Sequence, residues 1–379
     1  MSRLSPIIKW AGGKEQELKY ILPLIPPFRH YYEPFVGGGA VFFSIQAAQK
    51  FINDKSPELY RLYTMVACQD AAFFEMLDRL LANWQRISCL VDDNAKRLID
   101  LYKLHAHTGS SPGEMECALR SFLQEYSAFF LEMFDGSLAL SSEHFQCELE
   151  RNVIEKARRM NMLERRKGKL PDGDIVANLE SALKSAFYMH LRYLYNLTRD
   201  QAPSKTQSFS PGTSAAIFFF VRENAYASMF RYNRHGAFNV PYGGISYNRK
   251  GLARKIDLMR SEALHLHLRD TIIEQMDFEA FLSKYAPRED DFVFLDPPYD
   301  SEFSTYARNA FDMRDQERLA RYLVHDCHAR FMLVIKHTPA IRTLYDRAGL
   351  TIRSFEKTYL VSFQARNERG AEHLIITNY

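Results

Sequence analysis

Strand-and-turn patterning sits at the two ends of this chain, and a long stretch of helical periodicity keeps them apart. Residues 1–63 alternate short apolar runs with glycine turns, as in HYYEPFVGGGAVFFSIQAA and KFINDKSPELYRLY. Beyond residue 270, DDFVFLDPPY and HARFMLVIKH have the unbroken apolar runs of strands buried on both faces. QERLARYLVHDC has the spacing of the helix between them, and AEHLIITNY closes the chain as a strand. Between them, DAAFFEMLDRLLANW, AKRLIDLYKLH, EMECALRSFLQEYSAFFLEMF and IVANLESALKSAFYMHLRYLYN carry apolar residues at helical spacing. Residues 199–214 are polar with Pro and Gly and read as a loop. Parallel strands are joined by crossovers of a dozen or so residues, so an interruption of about 200 residues must fold on its own. The expectation is one α/β domain begun over 1–63 and completed over 270–379. A mostly helical domain over 64–269 is inserted between its halves.

Composition narrows the function classes. No apolar run reaches the roughly 18 residues a membrane span needs, and the N-terminus lacks a signal core. Five scattered cysteines without a C-x-x-C pair point to a reducing, cytoplasmic setting, without disulfides or zinc. Twelve histidines form no H-x-x-x-H pattern, and His265 and His267 have no third ligand nearby, so no metal is expected. A net charge of +3 leaves nucleic acid open, and the distribution of charge matters more than its sum.

Two strand ends carry chemistry. In YYEPFVGGGAVFFSI an apolar stretch enters Gly37-Gly38-Gly39 and continues as an apolar helix, a cradle for a nucleotide-like ligand. It is neither the dinucleotide fingerprint, since Phe42 replaces the third glycine, nor a P-loop. Asp54 ends the next apolar stretch, 17 residues after Gly37. A carboxylate there suits both ribose hydroxyls of an adenosine. Alone, it suits a cap on the helix beginning SPELYRLY equally well, with Ser56 competing for that role.

The second strand end is Phe292–Tyr299, FVFLDPPY. Pro297 and Pro298 stop the strand sharply, and Asp296 stands at its carboxyl end, where open α/β sheets present functional groups. The carboxylate plus a proline carbonyl make two adjacent acceptors, suited to a group with two N–H donors such as an exocyclic amine. Tyr299 offers a flat face on which a base stacks.

These motifs together resemble the Dam-like (D12 class, α group) DNA adenine-N6 methyltransferases. The resemblance rests on IKWAGGK, EPFVGGGAVFF, RYNRHGAFNVPYG, DPPY and ARNERGAEHLIITNY, in that order. It covers roughly residues 5–63 and 216–379. It implies a Rossmann-like S-adenosylmethionine-dependent methyltransferase fold, with the insert as target-recognition domain. The implied reaction moves a methyl group from S-adenosylmethionine, without metal, to the N6 amine of an adenine flipped out of double-stranded DNA. Trp10, Lys14, Phe35, Gly37, Gly39, Asp54, Asp277, Phe278 and Asp296 would then hold the donor. Asp296, Pro297, Pro298 and Tyr299 would form the catalytic corner. RNA adenine methylation, or a catalytically silent DNA-binding relative, are the alternatives. A bacterial, phage or mobile-element origin, a restriction or defence partner and a monomer or weak dimer fit the resemblance.

Between Arg231 and Asp257 six basic residues face one acid, with aromatics interleaved. Cations suit phosphate and the aromatic-rich hairpin (231–250) suits base edges. Arg231, Tyr232, Asn233, Arg234, Asn239, Tyr242 and Lys250 are the candidate DNA contacts. Arg234 and His235 depart from the GATC-specific members, so that specificity is not carried over. Relative to a typical member about a hundred mostly helical residues are expected to be extra. Within them Arg151–Lys169 carries eight basic residues against two acids, which fits a phosphate-binding edge or a solvated face.

Overall fold

The computed structural model describes residues 4–104, 113–134, 138, 142–199, 209–298, 311–358 and 370–379. Seven strands form one mixed sheet: β1 (His30–Glu33), β2 (Gln49–Asn53), β3 (Thr271–Glu274), β4 (Phe292–Leu295), β5 (Arg330–Lys336), β6 (Thr351–Thr358) and β7 (Gly370–Thr377). Their order is β3-β2-β1-β4-β5-β7-β6. Neighbours from β3 to β5 pair in parallel, and β7 runs antiparallel to both β5 and β6. This is the expected α/β, Rossmann-like arrangement. The strand order reverses at β1 and β4, whose carboxyl ends therefore border a crevice.

Among the described residues the α-helices are, in chain order, α1 (Leu18–Ile21), α2 (Pro57–Ala67), α3 (Ala71–Asp93), α4 (Ala95–Lys103), α5 (Glu114–Glu125), α6 (Ser127–Glu132), α7 (Ser142–Lys167), α8 (Asp172–Arg199), α9 (Pro211–Asn224), α10 (Ala253–Arg260), α11 (Glu262–Arg269), α12 (Phe278–Tyr285), α13 (Met313–Arg321) and α14 (Pro339–Tyr345). None of them is long and apolar enough to cross a membrane.

The strands explain their own sequences. All four residues of β4 are buried, so polar alternation is absent. Val293 and Leu295 meet Phe331, Leu333 and Ile335 of β5 and Leu374 and Ile376 of β7 in one apolar layer beneath α12 and α13. Caps fix the helix starts: Ser56 accepts from Leu59 N–H ahead of Pro57, and Asp312 with Asp315 closes a capping box on α13.

The helix expected after the glycine triplet is absent. Residues 40–48 hold only a 3-10 turn, Phe42–Ser44. Ile45 is already extended (φ −113°, ψ 161°), and β2 starts at Gln49. Phe42 and Phe43 are buried and pack on His267, which fixes the short link without a helix.

Contact between residues divides the chain into two units. One comprises 1–69, 230–236 and 258–379; the other comprises 70–229 and 237–257. These limits differ from the expected 63/64 and 269/270. The reason is non-local packing. Nε2–H of buried His267 on α11 donates to the Phe42 carbonyl at 3.0 Å, and Phe230 packs edge-on against Trp10 at 4.3 Å. The helical unit contains α3 to α9. Its α9 was not anticipated: residues 200–208 of the expected loop lie outside the described residues, but Ser210 caps a helix with Pro211 in its first turn. On α7 three arginines of the basic run are ion-paired. Arg158 meets Glu116 at 2.6 Å, Arg151 meets Glu148 at 2.5 Å and Arg159 meets Glu155 at 3.2 Å. That favours the solvated-face reading.

Candidate active site

A cavity of about 400 Å³ opens at the carboxyl ends of β1, β2 and β4, within the sheet unit. Its walls come from Trp10–Lys14, Glu33–Val41, Asn53–Ser56, Phe230, Met276–Phe278, Phe294, Asp296–Pro298, Phe311 and Asp315. Every described residue expected to hold the donor, or to form the catalytic corner, lines it. Tyr299 lies outside the described residues.

The glycine loop is shaped by what it packs against. Gly37 and Gly39 have φ of +49° and +73°, which side chains other than glycine adopt at a cost. A Cβ on Gly37 would stand 2.9 Å from Trp10 Cδ1, and one on Gly39 2.8 Å from Tyr63 Oη. Tyr63 in turn donates to the Gly37 carbonyl at 3.0 Å. Gly39→Ala is therefore expected to lower stability by about 1–3 kcal/mol and to weaken donor binding, as read by thermal melting and titration calorimetry. Unchanged melting would argue that the loop relaxes at no cost.

Asp54 is a loop anchor. Its two oxygens accept from Gly37 N–H at 3.1 Å and Ser56 N–H at 2.9 Å. Ser56, not Asp54, caps α2. Burial pushes the Asp54 carboxyl up to about 6, while the hydrogen bonds from Ser56 and Gly37 pull the other way. Asn53 beside it stitches two loops together. Its amide donates to Pro34 O at 3.0 Å and Met276 O at 3.1 Å, and accepts from Met276 N–H at 2.9 Å.

An aromatic slot lies next to this loop. Phe35, Phe278 and Phe311 have ring centres 5.4–5.7 Å apart, leaving apolar edges for a flat ring. Asp277 caps α12, accepting from Glu279 N–H at 3.0 Å. Arg318 grips it at 2.7 Å and also holds Glu279 and Asp315 at 2.7 Å. Burial raises the Asp277 carboxyl, but the hydrogen bonds from Arg318 and Glu279 N–H and the charge of Arg318 together outweigh it, leaving the group below its ordinary value. Arg318 also lies over the Phe278 ring at 4.9 Å, so one guanidinium orients both expected donor contacts.

At the end of β4, Asp296 Oδ1 is 2.5 Å from Lys14 Nζ. Lys14 is 2% exposed and also donates to Gly12 O at 3.1 Å. Glu33, at the end of β1, is buried and accepts from Tyr31 Oη–H at 2.7 Å. Burial pushes its carboxyl well above the usual range; Tyr31 pulls it down and Asp296 adds to the rise. The Pro298 carbonyl accepts from the buried Gln316 at 3.1 Å. Sequence reasoning passed over Glu33, Asn53, Phe230, Phe311 and Arg318. Only Glu33, inside EPFVGGG, carried a local signal.

The expected DNA-contacting segment divides. Asn233 builds a tight turn: its carbonyl accepts from Gly236 N–H at 2.8 Å and its Oδ1 from His235 N–H at 3.0 Å. Arg231, Asn233 and Arg234 are exposed, Tyr232 and Asn239 partly so. Tyr242 and Lys250 are corrected. Tyr242 is 7% exposed and donates to Asn248 Oδ1 at 3.0 Å. Lys250 is drawn to the fully buried Glu223, which it meets at 3.1 Å and which also takes Lys255 at 2.6 Å. Nor do residues 231–250 form a strand hairpin: they hold single bridges, one of them Ala225–Tyr242.

A family model described as D12 class N6 adenine-specific DNA methyltransferase matches residues 10–106 and 121–359. The chain belongs to this family. Among its relatives, the type II methyltransferase M.CviBI of Paramecium bursaria Chlorella virus NC1A is 25% identical over 99% of this chain and 100% of its own. The type II methyltransferase M1.LlaDCHI of Lactococcus lactis subsp. cremoris is 25% identical over 99% and 96% of the two chains. A DNA adenine methylase of Vibrio cholerae serotype O1 is 20% identical over 97% and 94%. The D12-class match runs through the helical unit and leaves only 107–120 as an internal gap. The D12 class implies S-adenosylmethionine as methyl donor. The glycine cradle, the aromatic slot and the Asp54 carboxylate fit its methionine, adenine and ribose parts.

Proposed function

We propose that this D12-class chain is a site-specific DNA methyltransferase. It moves a methyl group from S-adenosylmethionine to the N6 amine of an adenine flipped out of double-stranded DNA. The observation that carries this reading is the single cavity onto which both Asp54 and Asp296 open. One serves the donor, the other the target.

An adenine amine is a poor nucleophile because its lone pair is delocalised into the ring. The Asp296 carboxylate and the Pro297 carbonyl accept its two N–H groups, hold the nitrogen in a tetrahedral-like shape and leave its lone pair facing the donor. The donor supplies an electrophilic methyl on a sulfonium and leaves as a neutral thioether. The chain's contribution is position and electrostatics rather than a strong base. Lys14 holds the Asp296 carboxylate in place until the amine arrives. The methylated nitrogen, now cationic, then loses the proton of the N–H that faces Asp296 through that carboxylate to water, giving the neutral N-methyl amine. Extruding the base costs a few kcal/mol, which stacking on Tyr299 offsets. Arg231, Tyr232, Asn233, Arg234 and Asn239 contact DNA in this reading.

Labelled S-adenosylmethionine, offered with DNA or with RNA and followed by modification-sensitive sequencing, tests it. The expected product is N6-methyladenine in a fixed DNA context. Methylated RNA alone, or donor binding without transfer, overturns it.

The Asp54 carboxyl gives a pH prediction. Its folded-state value, about 6, lies above the ordinary range, so the free protein favours the protonated acid and loses this stabilisation as pH rises through 6. Ribose binding needs the ionised form to accept both hydroxyls. Donor affinity should therefore be flat above about pH 7 and fall up to roughly tenfold per unit below 6. Titration calorimetry on wild type and Asp54→Asn checks this, the variant binding weakly without the pH step.

A further inference from the structure

Four side chains at intervals of four residues form one stripe along α8: Lys184, Tyr188, Arg192 and Asn196. Each reaches the backbone of a single segment, Phe238–Asn248. Lys184 Nζ donates to Asn248 O at 2.5 Å. Tyr188 Oη and Arg192 Nη1 both donate to Val240 O at 3.0 Å. Asn196 Nδ2 donates to Phe238 O at 3.0 Å, and its Oδ1 accepts from Phe238 N–H at 2.8 Å. The segment thus runs down the helix in the opposite direction, and Asn196 takes the place of a strand neighbour for Phe238.

The segment needs this support. Its middle is tied by backbone bonds from Tyr226 N–H to Pro241 O and Gly243 N–H to Asn224 O, but no strand ladder holds it. Phe238 and Val240 are 1% and 0% exposed, with Asn239 between them partly exposed, the burial alternation of an extended chain pressed on a surface. Asn248 closes the far end. Its carbonyl also accepts from Trp84 Nε1–H at 3.2 Å, and its amide side chain meets Tyr242, Ala177 and Glu180.

A segment that reads base edges discriminates only if its backbone is held within a fraction of an ångström, and irregular backbone does not hold itself so. We propose that the α8 stripe is the positioning element for sequence selectivity. It fixes the backbone of Phe238–Asn248, and with it the bases this enzyme accepts, without touching DNA. This rests on the function proposed above. It gives the helical unit a role in recognition other than phosphate contact.

Two variants test it. Asn196→Asp keeps size and the acceptor for Phe238 N–H but sets an oxygen against Phe238 O. Tyr188→Phe alone leaves Arg192 on Val240 O and should behave as wild type, whereas Tyr188→Phe/Arg192→Met removes both donors. The readouts are the ratio of kcat/KM on the preferred DNA context to that on single-mismatch contexts, the Kd for S-adenosylmethionine, and thermal melting. For Asn196→Asp and for the double variant the ratio should fall about tenfold, the effect of one buried backbone carbonyl losing its side-chain donors, with donor Kd unchanged and melting still cooperative. Wild-type selectivity in either folded variant overturns the proposal. So does a parallel loss on all contexts that simply tracks the melted fraction. A wild-type protein that transfers nothing to DNA overturns the proposed function, and this inference with it; transfer with unaltered selectivity in the variants overturns this inference alone.

Discussion

Asp296→Asn should bind the methyl donor, melt cooperatively and transfer methyl groups at least 10²–10³-fold more slowly, the scale seen when one preorganised electrostatic group is removed. The substitution keeps the shape of the side chain at the end of β4, which is anchored by burial on both faces. It removes the charge and one acceptor. An amide at this position either points its own NH2 at the adenine NH2, donor against donor, or turns its single oxygen there as a weaker neutral acceptor. Donor binding is expected to survive because the glycine loop, Asp54 and the aromatic slot are untouched. Asp296→Ala should be equally inactive. Single-turnover assays on flipped-base or mismatched DNA, where extrusion costs less, separate loss of chemistry from loss of extrusion. Undiminished transfer by either variant, once shown to be folded, would falsify the assignment of this corner.

How much of this was legible in the sequence follows from the range of the interactions. β4 could be read because an apolar run closed by Asp-Pro-Pro is a local signal, and burial on both faces follows from its composition. The glycine loop was legible for the same reason, yet the helix expected behind it was not formed. Periodicity could not show that Phe42 and Phe43 would be used by His267, 225 residues on from Phe42. Asp54 stood evenly between ribose acceptor and helix cap until geometry gave the cap to Ser56. Asn53 and Arg318 were invisible because their partners are remote: Met276 lies 223 residues from Asn53, and Asp277 lies 41 from Arg318. The misreading of Lys250 has a definite cause. Counting charges over 231–257 omitted Glu223, just upstream, which neutralises Lys250 and Lys255 from inside the fold. Interleaved aromatics and cations describe a DNA surface and a packed loop equally well. Only burial tells them apart.

Lys14→Met probes the same corner from the other side, and its effects on stability and on rate should separate. Lys14 is almost wholly buried, whereas the Asp296 side chain keeps 19% exposure, so the pair is not fully desolvated. Removing one partner of such a pair leaves the other charge partly buried and uncompensated, a loss of about 2–4 kcal/mol. Adding Asp296→Asn to Lys14→Met removes the stranded charge. The double variant should therefore regain most of the lost stability while remaining as inactive as Asp296→Asn alone. Urea unfolding of the four proteins measures the coupling directly, and a value above about 1 kcal/mol is expected for groups in contact. If the two single losses simply add, the contact contributes nothing to the fold, and Lys14 must act on the donor or the DNA instead of on Asp296.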